Sequence, residues 1–125
     1  VATILIIDDD EHVLRTLKWA LEKHGHQVVE VQDSRKGIAF FRHVPVDLVI
    51  TDILMPHKDG LDIMMEIRSE FPDAKIVAMS GGGPGMSSAG CLHLATDLGA
   101  HEILVKPIEK KVLLDVVDRV LSRNA

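Results

Sequence analysis

Leu48-Val49-Ile50-Thr51-Asp52-Ile53-Leu54-Met55-Pro56 is the stretch that decides the fold. It reads as an apolar strand that arrives at a carboxylate, Asp52, and then breaks, because Pro56 has no N–H for a sheet and restricts the residue before it. A strand ending this way sets an acid at the rim of a sheet, where the ends of other strands surround it. Three more apolar runs end on polar residues suited to one chemistry. Ile4 to Ile7 leads to Asp8-Asp9, Ile76 to Met79 leads to Ser80, and Ile103 to Val105 leads to Lys106-Pro107. Three acids, a hydroxyl and a lysine at four strand ends compose a metal and phosphoryl site.

Between these runs the apolar period changes from that of a strand to that of a helix. Val13, Leu14, Leu17, Ala20 and Leu21 recur at three- and four-residue steps from Glu11 to His24, and Gly25 stops the pattern. Gln27 to Val31 predicts a second strand, and Ser34 is a candidate N-cap for a helix reaching about His43. Pro45 interrupts, and Asp47 to Thr51 is the third strand. After the Asp59-Gly60 turn signal, Leu61, Met64, Ile67 and Phe71 form a helical stripe ended by Pro72. Lys75 to Met79 is the fourth strand, and a glycine-rich loop follows at Gly81-Gly82-Gly83-Pro84-Gly85. A helix is predicted from about Ser87 to Leu98, then a strand from Glu102 to Val105 and a closing helix marked by Val112, Val116 and Val120.

Five strands alternating with five helices specify an α/β fold, a doubly wound parallel sheet with right-handed crossovers and helices on both faces. Ligands of such open sheets bind outside the carboxyl ends of the strands. A strand order of 2-1-3-4-5 brings Asp8, Asp9, Asp52, Ser80 and Lys106 to one rim. The whole chain, 1–125, is expected to be a single domain.

Composition narrows the function. The chain has 125 residues, 46% of them hydrophobic and 26% charged, which is ordinary globular usage. No apolar run reaches the roughly 18 residues of a membrane span, and no targeting pattern is visible, so no membrane association is expected. A single cysteine, Cys91, fits a reducing, cytoplasmic setting and reads as a small packing residue. A net charge of −5 and the absence of Tyr argue against a nucleic-acid surface.

Several carboxylates gathered around one lysine require a bridging cation, because like charges at close range are costly. Ligation by oxygen alone favours a hard ion, with Mg²⁺ the usual solution and Mn²⁺ an alternative. Asp9 and Asp52 are the expected direct ligands, with a backbone carbonyl just after Asp52 as a third. Asp8 then holds a metal-bound water or orients its neighbour. Asp52 is the candidate nucleophile, Lys106 pairs with one phosphoryl oxygen, and the Ser80 hydroxyl donates to another.

These residues in this order resemble the receiver domain of two-component response regulators, of the chemotaxis-regulator kind with a flavodoxin-like sheet. The matching pieces are Ile6-Ile7-Asp8-Asp9-Asp10, Val49-Ile50-Thr51-Asp52-Ile53-Leu54-Met55-Pro56, Asp59-Gly60, Met79-Ser80-Gly81 and Val105-Lys106-Pro107, in a resemblance running from about Thr3 to about Leu121. It implies that Asp52 is the phosphoacceptor, that Asp8 and Asp9 are the Mg²⁺-holding pair, and that the Leu54 carbonyl is the backbone ligand. It further implies that Ser80 is the switch hydroxyl, that Lys106 is the essential lysine and that the Lys106-Pro107 bond is cis. The implied phosphoryl donor is a phosphohistidine on a sensor histidine kinase or a histidine phosphotransfer protein. The implied output is an effector domain or protein docking on the face made by the helix over 87–98, the fifth strand and the closing helix. A homodimer formed on phosphorylation is a further option under this resemblance.

The chain departs from the family pattern in three places. Ile103 stands where the family often has Tyr or Phe as a rotamer switch. The segment between Ser80 and Lys106 is longer than the family's by about one helical turn, the surplus falling in Gly81 to Gly90. It reads as a surface loop or as an element that orders when Ser80 engages the phosphoryl group. Leu54 and Gly82 occupy positions that influence access of the hydrolytic water, and neither side chain holds water, so slow self-dephosphorylation is expected.

Other residues carry plainer readings. His24 and His26 straddle a helix stop and are expected to face solvent, and His57 is expected to be a loop residue. Trp19 is expected to be partly buried, Met64-Met65 to divide between core and surface, and Asp10 and Glu11 to favour a helix dipole. The competing function is a Mg²⁺-dependent phosphatase of the haloacid dehalogenase type, to which Asp8-x-Asp10 has a superficial likeness. That group needs further acids at a later strand end, where Ser80 and glycines stand here. A degenerate interaction domain that ignores phosphate is a third reading, opposed by the full set of acids and lysine.

Overall fold

The computed structural model describes residues 2–53, 60–81, 97 and 99–123, apart from the side chains of 60, 61 and 81. Five strands, β1 (Thr3–Ile7), β2 (Gln27–Val31), β3 (Leu48–Asp52), β4 (Ile76–Gly81) and β5 (Glu102–Lys106), form one sheet. Its order is β2-β1-β3-β4-β5, and every neighbouring pair is parallel. Among the described residues there are four helices: α1 (Glu11–Lys23), α2 (Ser34–His43), α3 (Gly60–Glu70) and α4 (Lys110–Ser122). The helix predicted over 87–98 lies outside the described residues except for Asp97, which is helical. No helix among the described residues is long and apolar enough to cross a membrane.

Strand periodicity divides the core into two layers. Ile4 and Ile6 of β1, Leu48 and Ile50 of β3, Val77 and Met79 of β4 and Leu104 of β5 pack against Leu14, Leu17 and Leu21 of α1 and Leu113, Val116 and Val120 of α4. Leu5, Ile7, Val49, Ile76 and Ala78 pack on the other face with Ile38 of α2 and Ile63, Met64 and Ile67 of α3. β3 is buried on both faces along its whole length, the reason its sequence reads as a continuous apolar run. Each large aliphatic side chain fully buried here stabilises the fold by about 1.5–3 kcal/mol.

The helix ends follow their local chemistry. Asp10 is the N-cap of α1, accepting the N–H groups of His12 and Val13. At the other end, Gly25 has φ +97°, the Gly25 N–H bonds to Glu22 O, and the His26 N–H bonds to Leu21 O. That pair of bonds is a Schellman motif with glycine at its left-handed position. α2 is capped by Asp33 rather than by Ser34, which is buried as the first helical residue. The Asp33 carboxylate takes the Arg35 N–H at 2.7 Å. Both residue types cap well, and Asp33 lies where the backbone is still extended.

Two further expectations meet different outcomes. Met64 is fully buried and Met65 exposed, as a helix straddling core and solvent demands. Trp19 is 55% exposed rather than partly buried. The ammonium groups of Lys23 and Lys110 lie 4.5 and 5.0 Å from its ring centre, within the range of cation–π contacts.

Candidate functional site

Parallel pairing aligns the carboxyl ends of β1, β3, β4 and β5. The pairings Ile7 with Thr51, Asp52 with Met79, and Gly81 with Lys106 step the rim across the sheet. Asp8 continues β1 through its N–H to Val31 O at 3.1 Å, and its residue is fully buried. One carboxylate oxygen, Oδ1, accepts the Asp10 N–H at 2.8 Å. The other, Oδ2, accepts Lys106 Nζ at 2.7 Å. Asp8 thus fixes the turn that launches α1 and also meets the lysine.

Asp52, Ser80 and Lys106 are in the last turns of pairing of their strands rather than just beyond them. Asp52 is 5% exposed, and its Oδ2 accepts Lys106 Nζ at 2.9 Å. Carboxylate oxygens of Asp8, Asp9 and Asp52 all lie within 4.8 Å of one another. Asp9 is exposed, so this cluster opens to solvent on its side.

Burial alone pulls the Lys106 ammonium downward, but its hydrogen bonds to Asp8 and Asp52 and their charges outweigh that and hold it above its usual value. The Asp9 carboxyl is pushed above the usual carboxylate range by burial first, then by its hydrogen bond to Asp8 and the Asp8 charge. Among the described residues, one ammonium stands beside three carboxylates, two of them buried. This all-oxygen donor set suits a hard divalent cation.

Ser80 is buried at the end of β4 and pairs with Val105. It follows Ile76 and Ala78 in the alternation and so shares the α2/α3 face with Ile103, which packs there half-buried. Asp8, Asp52 and Lys106 continue the alternation of the opposite face. The Lys106–Pro107 peptide bond is cis, as expected. Leu54, Gly82, His57, Cys91 and the Gly81 to Gly90 loop beyond Gly81 lie outside the described residues.

Asp10 has a role that the sequence reading understated. Its Oδ1 is engaged by the first turn of α1, while its N–H anchors Asp8. The signal was present, since an Asp just before an amphipathic run is a favoured N-cap. An Asp10 occupied in this way does not serve as the second acid of a phosphatase Asp-x-Asp pair.

Comparison with known proteins agrees with this geometry. The sequence model of the response regulator receiver domain matches residues 4–118, and the chain belongs to that family. The DNA-binding transcriptional regulator NtrC of Azospirillum brasilense is 35% identical over 123 residues, covering 98% of this chain but 25% of that protein. The photosynthetic apparatus regulatory protein RegA of Rhodovulum sulfidophilum is 33% identical over 122 residues, covering 98% of this chain and 63% of RegA. Among solved structures, a response regulator receiver domain protein from Clostridium thermocellum superposes with a TM-score of 0.89 at 32% identity, covering 98% of this chain and 96% of that one. The chain therefore spans only part of the length of these curated relatives. Membership of the receiver family implies phosphoacceptor signalling and leaves the haloacid dehalogenase alternative without support.

Proposed function

We propose that Asp52 is the phosphoacceptor of this receiver domain and that Lys106, Asp8, Asp9 and Ser80 assist it. The observation that carries the reading is the Lys106 ammonium held between the buried Asp8 and Asp52 carboxylates. An Asp52 oxygen attacks phosphorus, the bond from phosphorus to the donor's imidazole nitrogen breaks, and an acyl phosphate remains. Lys106 follows the new charge by bonding a phosphoryl oxygen, and the Ser80 hydroxyl donates to another.

Asp9 and Asp52 would hold Mg²⁺ (or Mn²⁺) directly with the Leu54 carbonyl, and Asp8 would act through water or by orienting Lys106. When bound, the ion supplies neutralisation of phosphoryl oxygen charge. The donor is a sensor histidine kinase or a histidine phosphotransfer protein. Movement of Ser80 toward the phosphoryl group, with Ile103 filling space behind it, alters the face made by the helix expected over 87–98, β5 and α4, which an effector domain or protein reads. Phosphorylation-dependent pairing of two copies is one form such a readout takes.

The test is phosphorylation by a small acyl phosphate with and without Mg²⁺. Wild-type protein is expected to gain one hydroxylamine-sensitive phosphoryl group only when the metal is present, and Asp52→Asn none. An acyl phosphate retained in Asp52→Asn places the chemistry on another residue.

A further inference from the structure

The opposite end of the sheet carries a second cluster of ligating side chains. His24 is the C-cap of α1, His26 enters β2 after the Gly25 turn, and Asp118 lies on α4. Nitrogen and oxygen ligand atoms of these three residues all lie within 4.8 Å of one another. His24 Nε2 is 3.2 Å from Asp118 Oδ2. The two imidazole rings are 5.7 Å apart and tilted by 49°. His26 does not simply face solvent: it is half-buried, and its Nε2 is buried without a hydrogen-bond partner among the described residues.

We propose that His24, His26 and Asp118 bind a Zn²⁺-class ion, distinct from the acid cluster at the rim, that ties the α1–β2 turn to α4. Two imidazoles and a carboxylate suit such an ion, whereas hard Mg²⁺ prefers oxygen alone. Ligands at about 2.0–2.1 Å in a tetrahedron stand roughly 3.3 Å from each other, close to the His24–Asp118 separation. Small rotations of the exposed His24 and Asp118 side chains complete the approach. The Schellman bonds and the Gly25 conformation hold the two histidines in place, so little chain entropy is lost on binding.

Proton accounting is simple. Each neutral ring presents its Nε2 lone pair to the ion and keeps its one proton on Nδ1. For His26 this gives up a 3.3 Å contact in which Nδ1 accepts the Ala2 N–H. It also gives the orphaned Nε2 a partner.

The test titrates Co²⁺, a spectroscopic stand-in for Zn²⁺, into protein kept in excess Mg²⁺. Visible bands of a low-coordinate Co²⁺ centre are expected to saturate stoichiometrically and to vanish on adding Zn²⁺. His24→Ala and Asp118→Ala, both changed at exposed positions, should each weaken binding at least about tenfold, since even outer partners of a metal site are worth that much. Both should keep the wild-type circular dichroism and phosphorylation yield, and Zn²⁺ should raise Tm in wild type but not in His24→Ala. Absence of bands in wild type overturns the proposal. So do bands that persist in His24→Ala and disappear in Asp9→Asn, which would assign the ion to the rim.

Discussion

Lys106 Nζ lies 2.7 Å from Asp8 Oδ2, although 98 positions separate the two residues in the chain. The contact forms because β1 and β5, separated in the sheet by β3 and β4, run parallel and bring their carboxyl ends to the same rim. It makes one ammonium the counterion for two buried acids, and the consequences can be measured.

Removing that ammonium leaves buried carboxylates facing each other. Loss of one partner from a buried ion pair costs about 3–5 kcal/mol. The Lys106 side chain is 21% exposed, and some water replaces it, so Lys106→Met is expected to lose roughly 2–4 kcal/mol without metal. Urea unfolding with and without Mg²⁺ measures this, and the deficit should shrink when Mg²⁺ is bound. Equal stability of the two proteins in the absence of metal would contradict the ion-pair account.

Gly37 tests the packing of α2 on β1. A Cβ there would stand 2.5 Å from Ile7 Cδ1 and 2.9 Å from Cγ1, and Ile7 is fully buried. Overpacking costs about 1–3 kcal/mol, against about 1 kcal/mol gained in helix propensity. Gly37→Ala should therefore be destabilised by roughly 1 kcal/mol, and trimming Ile7→Val in the same protein should recover part of it. A more stable Gly37→Ala protein would show that Ile7 yields without cost.

His101 couples stability to pH. Burial, then the charges of Arg68 and Arg123, hold it below its ordinary value of 6.5, while its Nδ1 accepts the Ile76 N–H at 3.3 Å. The unfolded chain takes up the proton first as pH falls. The contribution is thus complete above about 6.5 and is lost as pH drops toward the folded value. Wild-type stability should fall more between about pH 7 and 5 than that of His101→Asn, as denaturant midpoints would report. Parallel curves would dismiss this role.

Self-dephosphorylation is the fourth prediction. Leu54 and Gly82 offer no side-chain hydrogen bond to an attacking water, so the phosphorylated protein should persist for minutes or longer. Decay of purified phosphoprotein within seconds would refute it, and Gly82→Glu should hasten the loss.

Much of the fold was readable because each element obeys a simple period. β3 reads as continuously apolar since both its faces are covered, and Gly25 ends α1 through its left-handed conformation. The convergence of Asp8, Asp52 and Lys106 was readable because parallel sheets align their strand ends. What escaped depends on competition or on distance. Asp33 and Ser34 both cap well, and only the backbone path selects Asp33. Trp19 lies beside an apolar stripe, and of the two lysines against its ring only Lys23 is on the same helix, whereas Lys110 comes from α4. Nothing local to His24 and His26 announces Asp118, which the packing of α4 beside α1 brings to them.

The alternation of the strands has a last consequence. Asp8, Asp52 and Lys106 extend one side of the pleat, whereas Ser80 and Ile103 extend the other. Charge and hydroxyl thus reach the rim from opposite sides of a single polypeptide layer.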